Sequence, residues 1–200
     1  RSYPTLAAGI SQSVQGFPAL PGVDRELASL RGRFDATVIG NRAFTRARAQ
    51  EELRSGDYSI VHFATHGQFG DSYETSFLLT YDSKLLINEL GNSIQSGTST
   101  REPLELLVLS ACETAAGDDR AALGLAGVAL KAGARSALAT LWEVDDQSTL
   151  RLIEEFYASL PLEGSSRARS LQRAQMTLIG SSASSHPSYW APFLLIGNWL

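Results

Sequence analysis

Two residue types able to act together chemically stand at the ends of apolar segments. His66, followed by Gly67, closes the stretch YSIVHFATHG at 58–67, and Cys112, the single cysteine, closes LELLVLSAC at 104–112. A thiolate is a nucleophile, and a neighbouring imidazole can take the thiol proton or pair with the thiolate. Gly67 has no Cβ, so the backbone there can come close to a substrate. Its N–H and that of Cys112 are candidate donors to the oxyanion formed when a carbonyl is attacked, where one lost donor costs a factor of roughly 10²–10³ in rate. Residue type alone leaves plainer roles open. A free cysteine is often a small buried hydrophobe, and His66 can be a turn histidine. His62 shares a strand face with Ile60 and Ala64 and is expected to be buried and hydrogen-bonded. The HxxxH spacing of His62 and His66 resembles a metal pair, but Phe63 stands where zinc proteases carry Glu, and a strand replaces the helix. No metal or other cofactor is expected. His186, in a Ser-rich loop, is read as structural.

Positioning these residues requires strands that end together. The runs at 58–64 and 106–109 are continuously apolar, as in parallel strands buried on both faces. Short strands are also expected at 6–10, 36–39, 136–142 and 192–196, and a hairpin from 76–80 and 84–87. Helices are expected after Asp24 (read as their N-cap), over 45–53, 88–94, 117–131 and 167–178, and after Asp145-Asp146, with Leu150, Ile153, Phe156 and Tyr157 on one face. Gly133 reads as a left-handed helix terminator. Residues 11–22, 71–75 and 97–103 read as loops. Alternating strands and helices favour an α/β fold with a mostly parallel sheet. Open sheets of this kind bind ligands at the carboxyl ends of their strands, where both His66 and Cys112 fall.

Composition excludes several classes. The net charge is −4 with both signs interspersed, so neither a basic nucleic-acid surface nor an acidic tail is expected. No apolar run approaches the ~18 residues of a membrane span, and the start, RSYPTLAAGI, is not a signal peptide. A lone cysteine forms no internal disulfide and suits a reducing, cytoplasmic setting. Two hundred residues make one domain over 1–200 the expectation. Without an initiator Met, that domain reads as excised from a longer chain.

Four ordered blocks carry a resemblance: HFATHG at 62–67, LLVLSACETA at 106–115, GLAGVALKAGARSALATLWEVDD at 124–146 and YWAPFLLIG at 189–197. Together they resemble the CHAT domain, a caspase-like family frequent in bacteria and usually found beside tetratricopeptide repeats or other interaction modules. The resemblance implies a caspase–haemoglobinase-like three-layer sandwich and cysteine endopeptidase activity. It makes His66 the catalytic histidine and Cys112 the nucleophile. The caspase signature around the cysteine is matched only at Ala111-Cys112, so caspase specificity does not carry over. Separase-like relatives hold an acidic residue in a stretch similar to LWEVDD, so Asp146 or Asp145 is a candidate to receive a substrate Arg or Lys. A carboxylate suits a guanidinium through two parallel hydrogen bonds, and the other Asp can cap the next helix. Trp142 and Ser110 are placed in the same substrate pocket, and Glu113 is expected to point away from the sulfur.

The expected function is cleavage of protein or peptide substrates, regulated by an upstream repeat or interaction domain. The alternative is a latent or non-proteolytic regulatory module. Acyl transfer or ester hydrolysis by the same dyad ranks below both. Arg101, between the two catalytic strands, is a weak self-cleavage candidate.

Overall fold

The computed structural model describes residues 3–68, 75–98, 102–110, 127, 130–142, 144–160 and 165–200. Six strands form the central sheet: β1 (Thr5–Gly9), β2 (Ala36–Gly40), β3 (Ile60–Ala64), β7 (Leu106–Leu109), β8 (Ser136–Thr140) and β9 (Phe193–Gly197), in the order β2-β1-β3-β7-β8-β9. All neighbours are parallel except β8 and β9. β1, β3, β7 and β8 are buried at every position, which is why they read as apolar runs rather than alternating ones. A small antiparallel sheet holds β4 (Gly67–Gln68), β5 (Phe77–Leu79) and β6 (Lys84–Leu86). The β5–β6 hairpin is as expected. The pairing of β4 was not legible, because two residues carry no periodic signal.

The pleat divides the interior into two cores. Leu6, Ala8, Val61, Phe63, Leu107, Leu109, Ala137 and Ala139 face α2 (Arg46–Ser55) and α3 (Ile87–Thr98), packing with Ala49, Leu53, Leu90 and Ile94. Ala7, Ile60, Ala64, Leu106, Val108 and Leu138 face α1 (Gly22–Arg33), α4 (Asp146–Ser159) and α5 (Arg167–Ile179), packing with Leu27, Leu30, Ile153, Phe156 and Leu178. Each such fully buried side chain is worth about 1.5–3 kcal/mol over the exposed state. Helices thus cover both sheet faces, giving the three-layer α/β sandwich.

At α2 the Thr45 side chain, read as part of the helix, instead caps it by accepting from the Arg48 N–H, and at α4 one of the two adjacent aspartates caps as expected: it is Asp145, which accepts from the Ser148 N–H. Capping also differs at α1. Asp24 lies inside the first turn and caps nothing. The Gly22 N–H instead donates to the Asp146 carboxylate at 2.7 Å. A cap from 124 residues away leaves no local pattern to find. α3 also extends beyond 88–94, to Thr98. Gly133 is left-handed, with φ +105°. The expected helix over 117–131 falls mostly outside the described residues, as do 71–74 and Arg101.

Sequence order reverses between β1 and β3, because β2 lies on one side of β1 and β3 on the other. Gly9 ends β1 at this crevice. A Cβ there would stand 2.5 Å from the Ala64 carbonyl oxygen and 2.7 Å from Val23 Cγ1. Gly9→Ala is therefore expected to destabilise the fold by about 1–3 kcal/mol. Urea unfolding with an unchanged midpoint would contradict this account of the crevice.

Candidate functional site

β3 carries the chain to the carboxyl edge of the sheet, and the small sheet then seizes it. The Thr65 hydroxyl donates to the Leu79 carbonyl at 2.8 Å, and the Leu79 N–H donates to the His66 carbonyl at 2.8 Å. His66 is thus pinned by β5 as β3 ends. Gly67 stands opposite Leu78. The Leu79-to-His66 bond makes Gly67 and Leu78 the non-hydrogen-bonded pair of this ladder, so the Gly67 N–H points away from β5.

The His66 ring is buried, and its Nε2 lies 2.8 Å from the Pro18 carbonyl oxygen. A carbonyl only accepts, so Nε2 carries the hydrogen and Nδ1 is the basic nitrogen of the neutral ring. Phe17 packs on the ring with centroids 5.2 Å apart. Both partners come from residues 11–22, the segment read from sequence simply as a loop. A tight turn holds them in place. Gln15 and Gly16 have φ +51° and +85°, and the Phe17 N–H returns to the Val14 carbonyl at 2.9 Å. Two positive φ values are the mark of a type I′ turn. Gln15 Nε2 donates to the Thr80 carbonyl at 2.8 Å, and Asn41 Oδ1 accepts from the Ser11 N–H at 2.9 Å. A backbone carbonyl leaves no mark in a sequence, which is why the partner of His66 was missed.

The two aspartates divide their work. Asp145 is exposed and caps α4 through Ser148. Asp146 is half-buried at the start of α1, where a Cβ on residue 22 would stand 2.7 Å from its Oδ2 and push the carboxylate aside. Burial pushes the Asp146 carboxyl above its ordinary value, and Glu26 and Asp145 push it further. The Gly22 N–H and the His66 ring oppose the shift. The structure therefore brings His66, Pro18 and Asp146 into one region at the β1/β3 crevice.

Ser110 ends β7, and its N–H donates to the Phe63 carbonyl at 3.0 Å. Its hydroxyl is buried with no partner among the described residues, as is that of Thr140 at the end of β8. The β7–β8 register pairs Leu107 with Ala137 and Val108 with Leu138, so Ser110 and Thr140 fall side by side on the face covered by α1 and α4. Thr140 was not singled out by sequence. Trp142 is exposed and donates from Nε1 to the Ser188 carbonyl at 3.2 Å, tying the end of β8 to the loop before β9. His186 caps the short turn at Pro187–Tyr189. His62 is fully buried, with its ring nitrogens directed at Tyr157 and Glu26. Cys112 and Glu113 lie outside the described residues.

The raised Asp146 carboxyl has a pH signature. The folded state holds a proton that the unfolded chain has already released, so this contribution is present below the ordinary value of 3.8 and is lost as pH rises through the folded value. Asp146→Asn lacks the titration. The stability of the wild type relative to Asp146→Asn is expected to fall as pH rises from about 3.5 to 6. Thermal midpoints of both proteins across that range check it, and a parallel or rising difference contradicts it.

The family model of the CHAT domain matches residues 2–198. Tetratricopeptide repeat protein 28 of Mus musculus is 38% identical over 100 residues, which is 49% of this chain and 4% of that protein. The chain thus spans a small part of that relative. Among solved structures, the Arg-specific cysteine proteinase gingipain R (RgpB, of Porphyromonas gingivalis) superposes with a TM-score of 0.64 at 10% identity, covering 98% of this chain and 46% of that one. A secreted C11 cysteine protease from Bacteroides thetaiotaomicron gives 0.54 at 10% identity, covering 98% and 66%. At such identities the likeness shows the fold alone. Among the described residues no helix is long and apolar enough to cross a membrane. With its sheet order, its sandwich and a family match along almost its whole length, the chain belongs to the CHAT domain family, a caspase-like family.

Proposed function

We propose that this domain is a cysteine endopeptidase with a His66/Cys112 dyad that cuts after a basic residue. The observation that carries the reading is the His66 Nε2 contact with the Pro18 carbonyl, which orients the ring and leaves Nδ1 as the base. His66 Nδ1 takes the Cys112 thiol proton, and the sulfur attacks the scissile carbonyl. The Gly67 and Cys112 N–H groups receive the oxyanion. The histidine returns its proton to the leaving amine, and water, deprotonated by the same ring, releases the acyl-enzyme. Asp146 receives the Arg or Lys side chain, with Ser110 and Trp142 lining that pocket and Asp145 holding the helix start beneath it.

A regulated form of this activity is supported by two observations. His66 is 6% exposed, and one oxygen of the Asp146 carboxylate accepts from the Gly22 N–H. Both suit a site that an activator rearranges. The matching relatives are repeat proteins, so the proposed activator is an adjacent repeat domain. A latent regulatory module is the second reading, and it is favoured by the same two observations.

Cys112→Ala and His66→Ala are expected to abolish cleavage of peptides with Arg or Lys before the cut. Asp146→Asn is expected to lower kcat/KM for them by at least about tenfold, since a hydrogen bond to a charged group is worth about 1.5–3 kcal/mol. A peptide panel assayed with the full-length protein, adjacent domain included, checks this. Activity retained in both dyad variants rejects the protease reading. A Cys112 that alkylates no faster than free cysteine, with no cleavage, supports the latent module.

A further inference from the structure

Beneath the site lie three titratable side chains for which the mechanism has no use. Glu26 on α1, His62 on β3 and Tyr157 on α4 are all at most 3% exposed. His62 Nδ1 lies 3.0 Å from the Tyr157 hydroxyl, and His62 Nε2 lies 2.8 Å from Glu26 Oε1. The Glu26 carboxylate only accepts, so His62 Nε2 carries the hydrogen that faces it, and Nδ1 accepts from the Tyr157 hydroxyl. Burial, and then the Glu26 charge, raise Tyr157 well above the ordinary phenol value, so the phenol keeps its proton. The track runs from one helix, through a central strand, to another helix.

Stability does not account for such a cluster. A buried polar or ionic pair is seldom more stable than apolar residues of the same volume. Here the Glu26–His62 contact is close but lacks the alignment of a full hydrogen bond, so neither atom is well satisfied. What the cluster does is fix three elements against one another. Each of those elements carries a group of the candidate site at its other end. α1 begins at Gly22, four residues before Glu26 and on the same helical face. α4 begins at Asp146, eleven residues before Tyr157, which at 3.6 residues per turn is also the same face. β3 leads from His62 to His66. The α1–α4 contact is therefore held by polar groups at three points: Gly22 with Asp146 at the site, Arg25 with Glu154 at the surface, and Glu26 with Tyr157 through His62 in the interior. Aromatic packing of Tyr157 on His62 and Phe34 restricts the ring further.

We infer that Glu26, His62 and Tyr157 are positioning residues for the basic-residue subsite, holding Asp146 at the start of α1 and at a set place relative to His66. This inference rests on the endopeptidase reading above. Through this cluster, the depth and direction of the Asp146 carboxylate are set from the core rather than by its own loop.

The test measures the rate of Cys112 labelling by an arginyl chloromethyl ketone and by its norleucyl counterpart, which has no charge. The full-length protein is used. Tyr157→Phe removes one oxygen, and Glu26→Gln keeps the side-chain shape. Leu178→Val, in the same core, is the comparator for lost stability. The wild type is expected to prefer the arginyl reagent. Tyr157→Phe and Glu26→Gln are expected to lower that preference at least about fivefold, while the comparator keeps it. Because the effect passes through Asp146, adding Tyr157→Phe to Asp146→Asn is expected to lower the preference no further. Unchanged preference in both triad variants, an equal loss in the comparator, or additive losses in the double variant would each overturn the positioning role and leave the basic subsite standing. Failure of both triad variants to fold, judged by circular dichroism, also overturns it, because the cluster would then be structural. A wild type with no arginyl preference, unaltered by Asp146→Asn, rejects the subsite itself and the positioning role with it.

Discussion

Four central strands buried on both faces admit little polar chemistry before they stop, and His62, inside β3, stands there with Tyr157 and Glu26 beside it. Within β1, β3, β7 and β8 nearly every side chain is packed between two helical layers, and an unpaired polar group there is costly. At the carboxyl edge the constraint lifts over one or two residues. Phe63 gives way to His66, and Leu109 to Ser110. Sequence order reverses at β1 and β3, the place where open α/β sheets bind their ligands. The site's location therefore follows from the sheet before any catalytic residue is considered.

That edge would be useless without elements that fix side chains there. The small antiparallel sheet takes hold of Thr65 and His66 within two residues of the end of β3, through two bonds to Leu79. The loop 11–22, which looks featureless as a string of residues, is a built object. It is closed by a type I′ turn at Gln15-Gly16, tied down by Asn41 and Gln15, and aimed so that Pro18 offers its carbonyl to the His66 ring. Two helices that start at this edge complete the arrangement. Their positive ends favour a carboxylate, and Asp146 serves both helices by opening α4 while holding the first N–H of α1.

Much of this was legible in the residues. Continuous apolar runs marked the parallel strands, and the adjacent aspartates marked the start of α4. The face of Leu150, Ile153, Phe156 and Tyr157 is buried as its periodicity required. The burial of His62 followed from the strand pattern. Where the reading failed, the cause was distance in sequence. Asp24 has the right residue type for a cap, but a carboxylate 124 residues further on reaches the N–H better. Likewise Ser110 and Thr140 become neighbours only through strand register, which no local window contains.

By itself the sequence determined the α/β class, the buried strands, the family and the two residue types able to attack and to transfer protons, because each is written in a local pattern or an ordered set of motifs. Only the tertiary structure decided which nitrogen of His66 is basic, since a backbone carbonyl from a remote loop sets it. Only the structure separated the adjacent aspartates, giving Asp145 to its own helix and Asp146 to another. And only the structure showed Glu26, His62 and Tyr157 as one cluster, because helix α1, strand β3 and helix α4 meet there through packing that no stretch of sequence records.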